Sequence, residues 1–523
     1  MVPVPEDEGY WRGTRIVPGE APILVMRIHE YDGTLSLRGF PRLPLLVETH
    51  QGKSVAIYAL FAFATCGLLH VAIGTDPLVS ALAVMAMTLG MAPIISFGAW
   101  NVGAILVFLV AFRHVGFPLF AKLALAQALD THLDQPLAAF AAVTAGVFAY
   151  FSAFMLVNKI KVGLPLLRPV TTPRLLRRLS FLAFLVGFAA NLELVLRTNV
   201  QTDAWNISNS FLPCLHLALI ASAASAILRS DGRRILDGWT LTVMAVEVAF
   251  AFLHNVRTPI LESVLALAMT DAAFHGRFTK KQVAITIAAF FLLIAITPVI
   301  LYVRNVRDDL PWGERITATT SAFANWREVE SVFLAYQNAE ELRSGFFMRY
   351  YGSPNNIFER FSHVNDADVL IAGADSAGKL GFKVIDRAVE HALPRVLVPE
   401  KPTDYGEGDW IYYEFLGTYR YGNFLTAPLI GVGYASFGWV GVFLFPFILG
   451  TAILLVIKKT VGFNLRGNLW VIYTIIVLNN QFVEGGAWSY VAMLVRQMPQ
   501  DTLMMLLFAM LLGTNWITLR KAM

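Results

Sequence analysis

The chain changes character at Arg304, where QVAITIAAFFLLIAITPVILYV (residues 282–303) gives way to RNVRDD (residues 304–309). The first segment has the apolar composition and the length of a membrane-spanning helix, which needs about 20 residues. Residues 304–424 are too polar to span, and apolar segments resume after Leu425. The sequence therefore predicts a membrane protein whose spanning helices are interrupted by one large polar insert.

The overall composition favours the same class. Hydrophobic residues make up 56% of the chain and charged residues 15%, which is more apolar than an ordinary soluble domain. We therefore expect an all-α polytopic membrane protein of about 12 transmembrane helices, with the insert between helices nine and ten. The apolar windows lie near residues 54–74, 78–96, 98–113, 137–158, 179–198, 211–228, 239–256, 258–274, 282–303, 428–457, 468–485 and 499–518.

Basic residues orient these helices. Loops rich in Lys and Arg mark the cytoplasmic side of a membrane, and five such loops fall on one side when twelve helices alternate. The interpretation places both termini in the cytoplasm and the insert on the outer face. The basic loops lie at residues 159–178, 229–234, 277–281, 458–466 and 520–521.

Four segments follow from this topology: a cytoplasmic N-terminal segment (1–53), helices one to nine (54–303), an extracytoplasmic cap (304–424) and helices ten to twelve (425–523). In the first segment, Asp32-Gly33 lies between two apolar stretches and suits a type I′ turn, so a small β-hairpin is predicted. Helical apolar spacing over residues 326–350 and 378–391 predicts a mostly helical cap.

Several kinds of chemistry are not expected. The two cysteines, Cys66 and Cys214, both lie in apolar runs, so neither a disulfide framework nor a Cys/His metal site is indicated. Basic residues gather at helix ends instead of in a run that would bind nucleic acid. We therefore expect no metal, no cofactor and no nucleic-acid partner.

Arginines depart from the usual charge pattern at the outer helix ends, where basic residues are disfavoured. The insert also contains ten arginines and only three lysines, and a guanidinium can bind phosphate bidentately. The pattern predicts a pyrophosphate group held at the outer leaflet, although some arginines could instead snorkel or pair with acids such as Asp308 and Asp309. The outer arginines are Arg113, Arg197, Arg257, Arg304, Arg307 and Arg496.

Ionisable residues within or at the ends of spans are a second signal, because their burial is costly and function is the default hypothesis. Glu193 and Arg197 are four residues apart and could simply neutralise each other. Arg257 differs, because Pro259 starts a new helix and an exposed helix N-terminus favours anions; a packed turn is the alternative. The residues concerned are Glu193, Glu247, His254, Arg257, Glu262 and Glu484.

The insert segment NNIFERFSHVND (residues 355–366) gathers a carboxylate, a guanidinium and an imidazole. A helix would place Glu359 and His363 one turn apart on the same face. The imidazole can take a proton near neutral pH, the carboxylate can assist it, and Arg360 could hold a phosphate. The segment predicts transfer to a hydroxyl group, with a solvated helix face as the alternative. His391 and Arg395 repeat the pattern more weakly.

Three segments carry a family resemblance: RVLVPEKP (395–402), YYEFLG (412–417) and APLIGVGYASFGWVGV (427–442). They resemble the end of the outer loop and the following helix of Wzy-type repeat-unit polysaccharide polymerases, which belong with the O-antigen ligases in a superfamily of polytopic glycosyltransferases. The long loop between late helices and the arginine at 257 fit the same likeness over residues 240–460. The resemblance implies a GT-C-like fold.

The resemblance also implies an activity. Such polymerases transfer a glycan from an undecaprenyl-diphosphate carrier to another lipid-linked repeat unit, without metal or nucleotide sugar, in O-antigen or exopolysaccharide biosynthesis. The expected location is the outer face of the bacterial cytoplasmic (inner) membrane. Expected partners are the undecaprenyl-diphosphate-linked oligosaccharide donor and acceptor, the lipid bilayer and, as a candidate, a chain-length regulator protein.

The expected mechanism is an inverting substitution in which a base activates the acceptor hydroxyl while arginines stabilise the departing diphosphate. The candidate bases are His363 and Glu359. The candidate diphosphate-binding residues are Arg257, Arg304, Arg360, Arg395 and Arg496, and the candidate substrate-binding residues are His254, Arg197, Arg420 and Tyr412. Aromatic residues near Trp410 could stack on sugar rings or anchor the chain at the membrane interface.

Three other functions stay open. An O-antigen ligase uses the same kind of donor, and the sequence hardly separates it from a polymerase. A polyprenyl-phosphate-sugar-dependent glycosyltransferase usually has acidic residues in its first outer loop, where this chain offers only Asp76. A flippase or transporter of lipid-linked oligosaccharides would have two similar halves, charged groups near the bilayer midplane and no large outer domain, and self-similar halves are not seen in this sequence.

Overall fold

The computed structural model describes residues 27–28, 35–36, 45–196, 210–254, 258–275, 284–288, 291–292, 312–329, 331, 362–393, 406–417 and 427–513. Nearly all of the regular structure in these residues is helical. Two π-helical turns, Phe112–Gly116 and Met493–Gln497, lie within this helical structure. The α-helices are α1 Leu45–Ala72, α2 Pro77–Phe97, α3 Val102–Ala111, α4 Phe117–Ala124, α5 Pro136–Lys159, α6 Pro173–Leu196, α7 Cys214–Arg229, α8 Gly238–Leu253, α9 Thr258–His275, α10 Trp312–Ala324, α11 His363–Ala377, α12 Lys383–Ala392, α13 Glu407–Leu416, α14 Leu429–Phe437, α15 Trp439–Thr460, α16 Leu469–Glu484, α17 Ala487–Ala492 and α18 Met498–Leu512.

The membrane class is supported by the length and apolar composition of these helices. Six segments in the described chain are long and apolar enough to cross a bilayer: Ser54–Ala72, Pro77–Phe97, Val102–Ala124, Pro136–Lys159, Pro173–Leu196 and Trp439–Thr460. Shorter apolar helices add Cys214–Arg229, Gly238–Leu253 and Leu469–Glu484. The protein is therefore a polytopic, membrane-embedded helical protein, while the count of twelve spans and the orientation stay predictions.

Local sequence explains where several helices begin. The Asp76 carboxylate accepts a hydrogen bond of 2.7 Å from the backbone N–H of Leu78, and Pro77 occupies the first helical position of α2. Both residues suit a helix start, because the acid satisfies an unpaired N–H and proline has none to lose. The prediction that Pro259 starts a helix is confirmed, since α9 begins at Thr258.

The helices form two groups that meet at α16. In the first, α5 packs against α2, α3 and α15, and Gly146 and Gly450 leave room for close neighbours such as Tyr150. In the second, α7 packs against α6, α8 and α9. Helix α16 contacts α3 in the first group and α7 and α9 in the second. Side chains on α16 can therefore reach both groups.

The predicted single span over residues 428–457 is wrong. The chain turns at Gly438, which adopts φ 61° and ψ −142°, a conformation that favours glycine. Helices α14 and α15 pack against each other on either side of this turn, and the backbones of Gly433 and Gly441 touch, so that neither position has room for a Cβ atom. The short helix α14 thus folds back along α15 as a helical hairpin.

The described part of the insert packs directly on this bundle. Helix α11 contacts α5, α14 and the first π-helical turn, and α12 contacts α17. Glu407, at the start of α13, accepts a 3.0 Å hydrogen bond from the backbone N–H of Trp488. The helix predicted over residues 378–391 begins later, at Lys383, because Gly378 and Gly381 both adopt positive φ angles.

Two short strands lie in the N-terminal segment. Arg27–Ile28 (β1) and Leu35–Ser36 (β2) pair antiparallel, with Arg27 opposite Ser36 and Ile28 opposite Leu35. They lie on the two sides of Asp32-Gly33, and this dipeptide itself falls outside the described residues.

Candidate functional site

His363 and Asp366 form a buried pair at the start of α11. Ser362 has extended dihedral angles, so the helix begins at His363 and places Asp366 in its first turn, where the helix dipole favours a carboxylate. His363 Nδ1 lies 3.0 Å from Asp366 Oδ2, and the imidazole is only 1% exposed. The expected helical turn from Glu359 to His363 is therefore interrupted at Ser362, and Asp366 shares the His363 helix instead.

Arg113 completes the site from the first π-helical turn. Its Nη2 atom lies 3.1 Å from His363 Nε2 and also forms an ion pair with Glu484 Oε1. Glu484 Oε1 is 3.8 Å from His363 Nε2. We call these four residues, His363, Asp366, Arg113 and Glu484, the His363 cluster.

The π-helical turn explains how Arg113 reaches this position. Such turns interrupt α-helices by one residue and are frequent at functional sites. Here the turn places both Arg113 and His114 against α11, and the His114 ring lies 5.5 Å from that of His363, centroid to centroid. His114 Nδ1 lies 2.9 Å from the carbonyl oxygen of Val110, so Nδ1 carries the proton that it donates.

The hydrogen bonds indicate the protonation pattern of His363. Asp366 accepts from Nδ1–H, which leaves the Nε2 lone pair to accept from the Arg113 guanidinium. Burial alone would lower the pKa of the His363 imidazole, but the hydrogen bond to Asp366 and the nearby Glu484 carboxylate outweigh it and raise the pKa above 6.5. The site therefore holds a basic imidazole in a fixed tautomer, which is the arrangement that general-base catalysis requires.

One edge of the His363 cluster is more accessible than the rest. The side chains of Arg113 and Glu484 are 16% and 29% exposed, against 1% for His363. A substrate would therefore approach past the guanidinium. Glu484 is the last residue of α16, where the helix dipole disfavours a carboxylate, so pairing with Arg113 compensates for its position.

Asp368 fixes α11 to the neighbouring loop. Its carboxylate accepts hydrogen bonds from the backbone N–H groups of Asp134 and Gln135, at 2.7 and 2.8 Å. Burial raises the pKa of Asp368 to about 6, although these two N–H groups oppose the rise. The helix that carries His363 is thereby tied to the start of α5.

Most of the other predicted site residues cannot be placed. Glu359, Arg197, Arg257, Arg304, Arg360, Arg395 and Arg420 lie outside the described residues. His363 is the predicted catalytic residue that the structure describes, and it is the centre of the cluster. The roles assigned to all of these residues stay predictions.

Three predicted residues are described but lie in other surroundings. Arg496 is exposed on the second π-helical turn. His254 Nε2 lies 3.1 Å from Asn191 Oδ1, and its ring stacks on Phe250. Tyr412 is buried in α13 at 7% exposure.

The aromatic residues near Trp410 pack within the protein. The Trp410 ring lies 5.5 Å from that of Trp488, and the His391 ring stacks on the same tryptophan at 5.2 Å. Trp410 is only 6% exposed. These contacts join the insert to α17 and leave little of these rings to stack on a sugar.

Sequence reasoning singled out Arg113 and Glu484 without joining them. Arg113 was expected at an outer helix end, but the helical segment continues to Ala124 and places it mid-segment. Glu484 was noted as an ionisable residue at the end of a span. Asp366 had no assigned role, and its signal was the three-residue spacing from His363 within one helix.

Comparison with family models, with curated proteins and with solved structures gives no significant match. In the described ranges, no group of three or more His, Cys, Asp and Glu side chains is arranged to hold a metal ion. The function must therefore be argued from the site.

Proposed function

We propose that the protein is a membrane-embedded glycosyltransferase that extends a glycan on an undecaprenyl-diphosphate carrier, as the resemblance to Wzy-type polymerases implies. The observation that supports this is the His363–Asp366 pair, buried beside the Arg113 guanidinium. It combines an oriented base with a cation, which are the two groups that transfer from a diphosphate to a hydroxyl requires.

The proposed reaction is an inverting displacement at the anomeric carbon of the donor sugar. His363 Nε2 takes the proton of the acceptor hydroxyl, and the oxygen forms a bond to the anomeric carbon. The bond from that carbon to the diphosphate oxygen breaks, and its electron pair leaves on the diphosphate. Asp366 stabilises the resulting imidazolium, as a carboxylate does for a catalytic histidine.

Arg113 has two roles in this scheme. In the structure its guanidinium donates to His363 Nε2, the atom that must receive the proton. The acceptor hydroxyl would take that place, and the guanidinium would then turn to the diphosphate, which it can bind bidentately. Arg257, Arg304, Arg360 and Arg395 are proposed to supply further positive charge.

The burial of His363 favours this chemistry. His363 is enclosed by α11, α16 and the first π-helical turn, and is almost inaccessible to solvent. Charge interactions are stronger in such surroundings than in water. The arginine would therefore stabilise negative charge on the leaving diphosphate more than an exposed side chain could.

Purified protein incubated with undecaprenyl-diphosphate-linked repeat units tests the proposal. The wild type should produce a ladder of lengthening lipid-linked glycans, and His363→Ala should lower the rate by about 10²- to 10⁴-fold, the usual contribution of a general base. His391→Phe is a matched control, since it keeps an aromatic ring against Trp488.

Two outcomes would overturn parts of the proposal. Elongation by His363→Ala at the wild-type rate would reject the base assignment. Transfer of a single glycan to a lipid A core or protein acceptor, without a ladder, would identify an O-antigen ligase-type transferase instead.

A flippase or transporter of lipid-linked oligosaccharides is a second candidate, favoured by one observation. His216 and Glu247 are buried ionisable residues on α7 and α8, and both face the interior of the helix bundle. Residues of this kind often mark ion or substrate paths through membranes. Movement of the lipid-linked glycan between the leaflets of vesicles, without ladder formation, would support this class.

A further inference from the structure

A second group of ionisable side chains lies between α7, α8, α9 and α16. His216 Nδ1 contacts Glu247 Oε1, and His216 Nε2 lies 3.1 Å from Glu262 Oε2. Asn480 Nδ2 donates a 2.9 Å hydrogen bond to Glu262 Oε1. We call these four residues, His216, Glu247, Glu262 and Asn480, the His216 cluster.

The two carboxyl groups of this cluster are not equivalent. Glu262 has two partners, the imidazole and the Asn480 amide. Glu247 is 3% exposed, and neither of its carboxylate oxygens has a hydrogen-bond partner among the residues that the structure describes, so its contact with His216 is an ion pair only. A buried carboxylate oxygen without a partner is costly, and the usual remedy is that the group takes up a proton.

The charge count leads to the same conclusion. One imidazolium can balance one carboxylate, so two ionised glutamates would leave a net negative charge inside the bundle. Such a charge is unfavourable in a membrane-embedded interior. One additional proton makes the cluster neutral.

We propose that the His216 cluster is a proton-binding site, distinct from the His363 cluster. In its loaded state Glu247 carries the proton as a neutral carboxylic acid, while Glu262 is ionised and paired with the His216 imidazolium. Release breaks the O–H bond of Glu247 and gives the proton to water, leaving Glu247 as a carboxylate beside the imidazolium. The ligand is the proton itself, and the site does not depend on glycan transfer.

Other ionisable residues near the cluster form separate contacts. Cys214 on α7 contacts Met504 on α18 and interacts electrostatically with Asp501, as does Tyr473 on α16. On the side of α6, Asn191 binds His254. At the end of α16, Glu484 is paired with Arg113. The described contacts of Glu247 are thus with His216.

Helix α16 connects the His216 cluster to the His363 cluster. Asn480 binds Glu262, and Glu484, four residues later, binds Arg113. Residues at this spacing are neighbours on one helix face. Loss or gain of the proton would therefore change the charge close to the His363 cluster.

Infrared difference spectroscopy of the purified protein tests the proposal directly, because a protonated carboxyl group has a C=O stretch that a carboxylate lacks. At neutral pH, subtracting the wild-type spectrum from that of Glu247→Gln should leave a negative C=O band equal to one carboxylic acid. Other buried carboxyl groups, such as Glu407 and Asp501, cancel in this difference. Glu390→Gln, which removes a glutamate paired with Arg387 on α12, outside the predicted spans, is the control and should show no loss.

Two further variants sharpen the test. In Glu262→Gln, Glu247 becomes the sole counter-charge of the imidazolium, so its acid band should also disappear. In His216→Phe, both glutamates lose their counter-charge and should be protonated. The carboxylic acid band of the cluster should therefore be twice as strong as in the wild type. If His216→Phe does not fold, the two glutamine variants still decide the question.

The opposite results would overturn the proposal. A carboxylic acid band that persists at wild-type intensity in Glu247→Gln would show that this residue holds no proton. Because the readout requires no glycan substrate, failure of the proposed transferase activity would leave this result unaffected.

Discussion

The His363 cluster and the His216 cluster both adjoin α16, but they differ in charge and in accessibility. The first contains an arginine, and its Glu484 side chain is 29% exposed. In the second, Glu247 is enclosed, and the imidazole is the one cationic group among the described contacts. This difference fits the two proposals, in which the first cluster meets an anionic substrate and the second holds a proton.

The difference in accessibility follows from where the residues of each cluster lie in the helix bundle. The His363 cluster is built at the end of α16 and the start of α11, so one edge stays open. The His216 cluster lies between α7, α8, α9 and α16, and Glu247, in the middle of α8, is covered by these helices. The end of α16 gives Glu484 access to solvent, whereas the surrounding helices enclose Glu247.

The largest expected contrast between the clusters is in stability. Glu484→Gln leaves Arg113 without its carboxylate partner and should destabilise the protein by about 2 kcal/mol, less than for a fully buried pair because both side chains are partly exposed. Glu247→Gln should be nearly neutral, because glutamine has the shape of a protonated glutamate. Thermal unfolding in detergent measures both.

The Arg113–Glu484 ion pair can also be tested by replacing both residues together. The double variant Arg113→Met, Glu484→Met should recover most of the stability lost in Glu484→Gln, since apolar residues can replace a buried ion pair. Equal destabilisation by Glu484→Gln and Glu247→Gln would contradict the distinction between the clusters.

An effect on rate is expected from Asp366→Asn. The variant loses the acceptor that orients His363, and elongation should slow by up to about 10⁴-fold, the loss that the same change causes in a serine-protease triad. Because Asp366 helps to raise the pKa of His363, the acid limb of the rate profile should also move to lower pH. Rates measured across pH, with Asp386→Asn as an exposed control, check both effects.

The same substitution should change the pH dependence of stability. A histidine whose pKa is raised on folding stabilises the native state fully below its unfolded value near 6.5 and loses this contribution as pH rises through the folded pKa. The wild type should therefore lose stability above that value more steeply than Asp366→Asn. An unchanged acid limb in the variant would show that Asp366 does not act on the imidazole.

The last effect is confined to a narrow pH range and concerns Asp368, beside the His363 cluster. Its pKa is raised from 3.8 to about 6 by burial, so its contribution to stability is full at low pH and is lost as pH rises through about 6. The slope is at most about 1.4 kcal/mol per pH unit. In Asp368→Asn the unfolding temperature should depend less on pH over this range than in the wild type, whereas Asp386→Asn should behave like the wild type.

Helix positions were largely predictable from the sequence, because hydrophobic length is a local property. The windows near 78–96, 137–158 and 468–485 coincide with α2, α5 and α16. The prediction failed at Gly438, where the apolar run continues although the backbone turns, since hydropathy does not register the direction of the chain. It also ended the third span at 113, inside the π-helical turn, whereas the helical segment continues through that turn to Ala124.

Residue types at the candidate site were predictable as well, but their partners were not. His363, Arg113 and Glu484 each stood out, because ionisable groups in or near apolar helices are costly to bury. The alternative that His363 lies on a solvated helix face is wrong, since the residue is buried.

The sequence by itself determined a helical membrane protein with arginines and acids at unusual positions, because span length and burial cost are encoded residue by residue. The tertiary structure alone decided which charges meet. Arg113 binds a histidine 250 residues away and a glutamate 371 residues away, and His216 joins glutamates from two other helices. Such pairings depend on how whole helices pack, a property that local spacing along the chain does not specify.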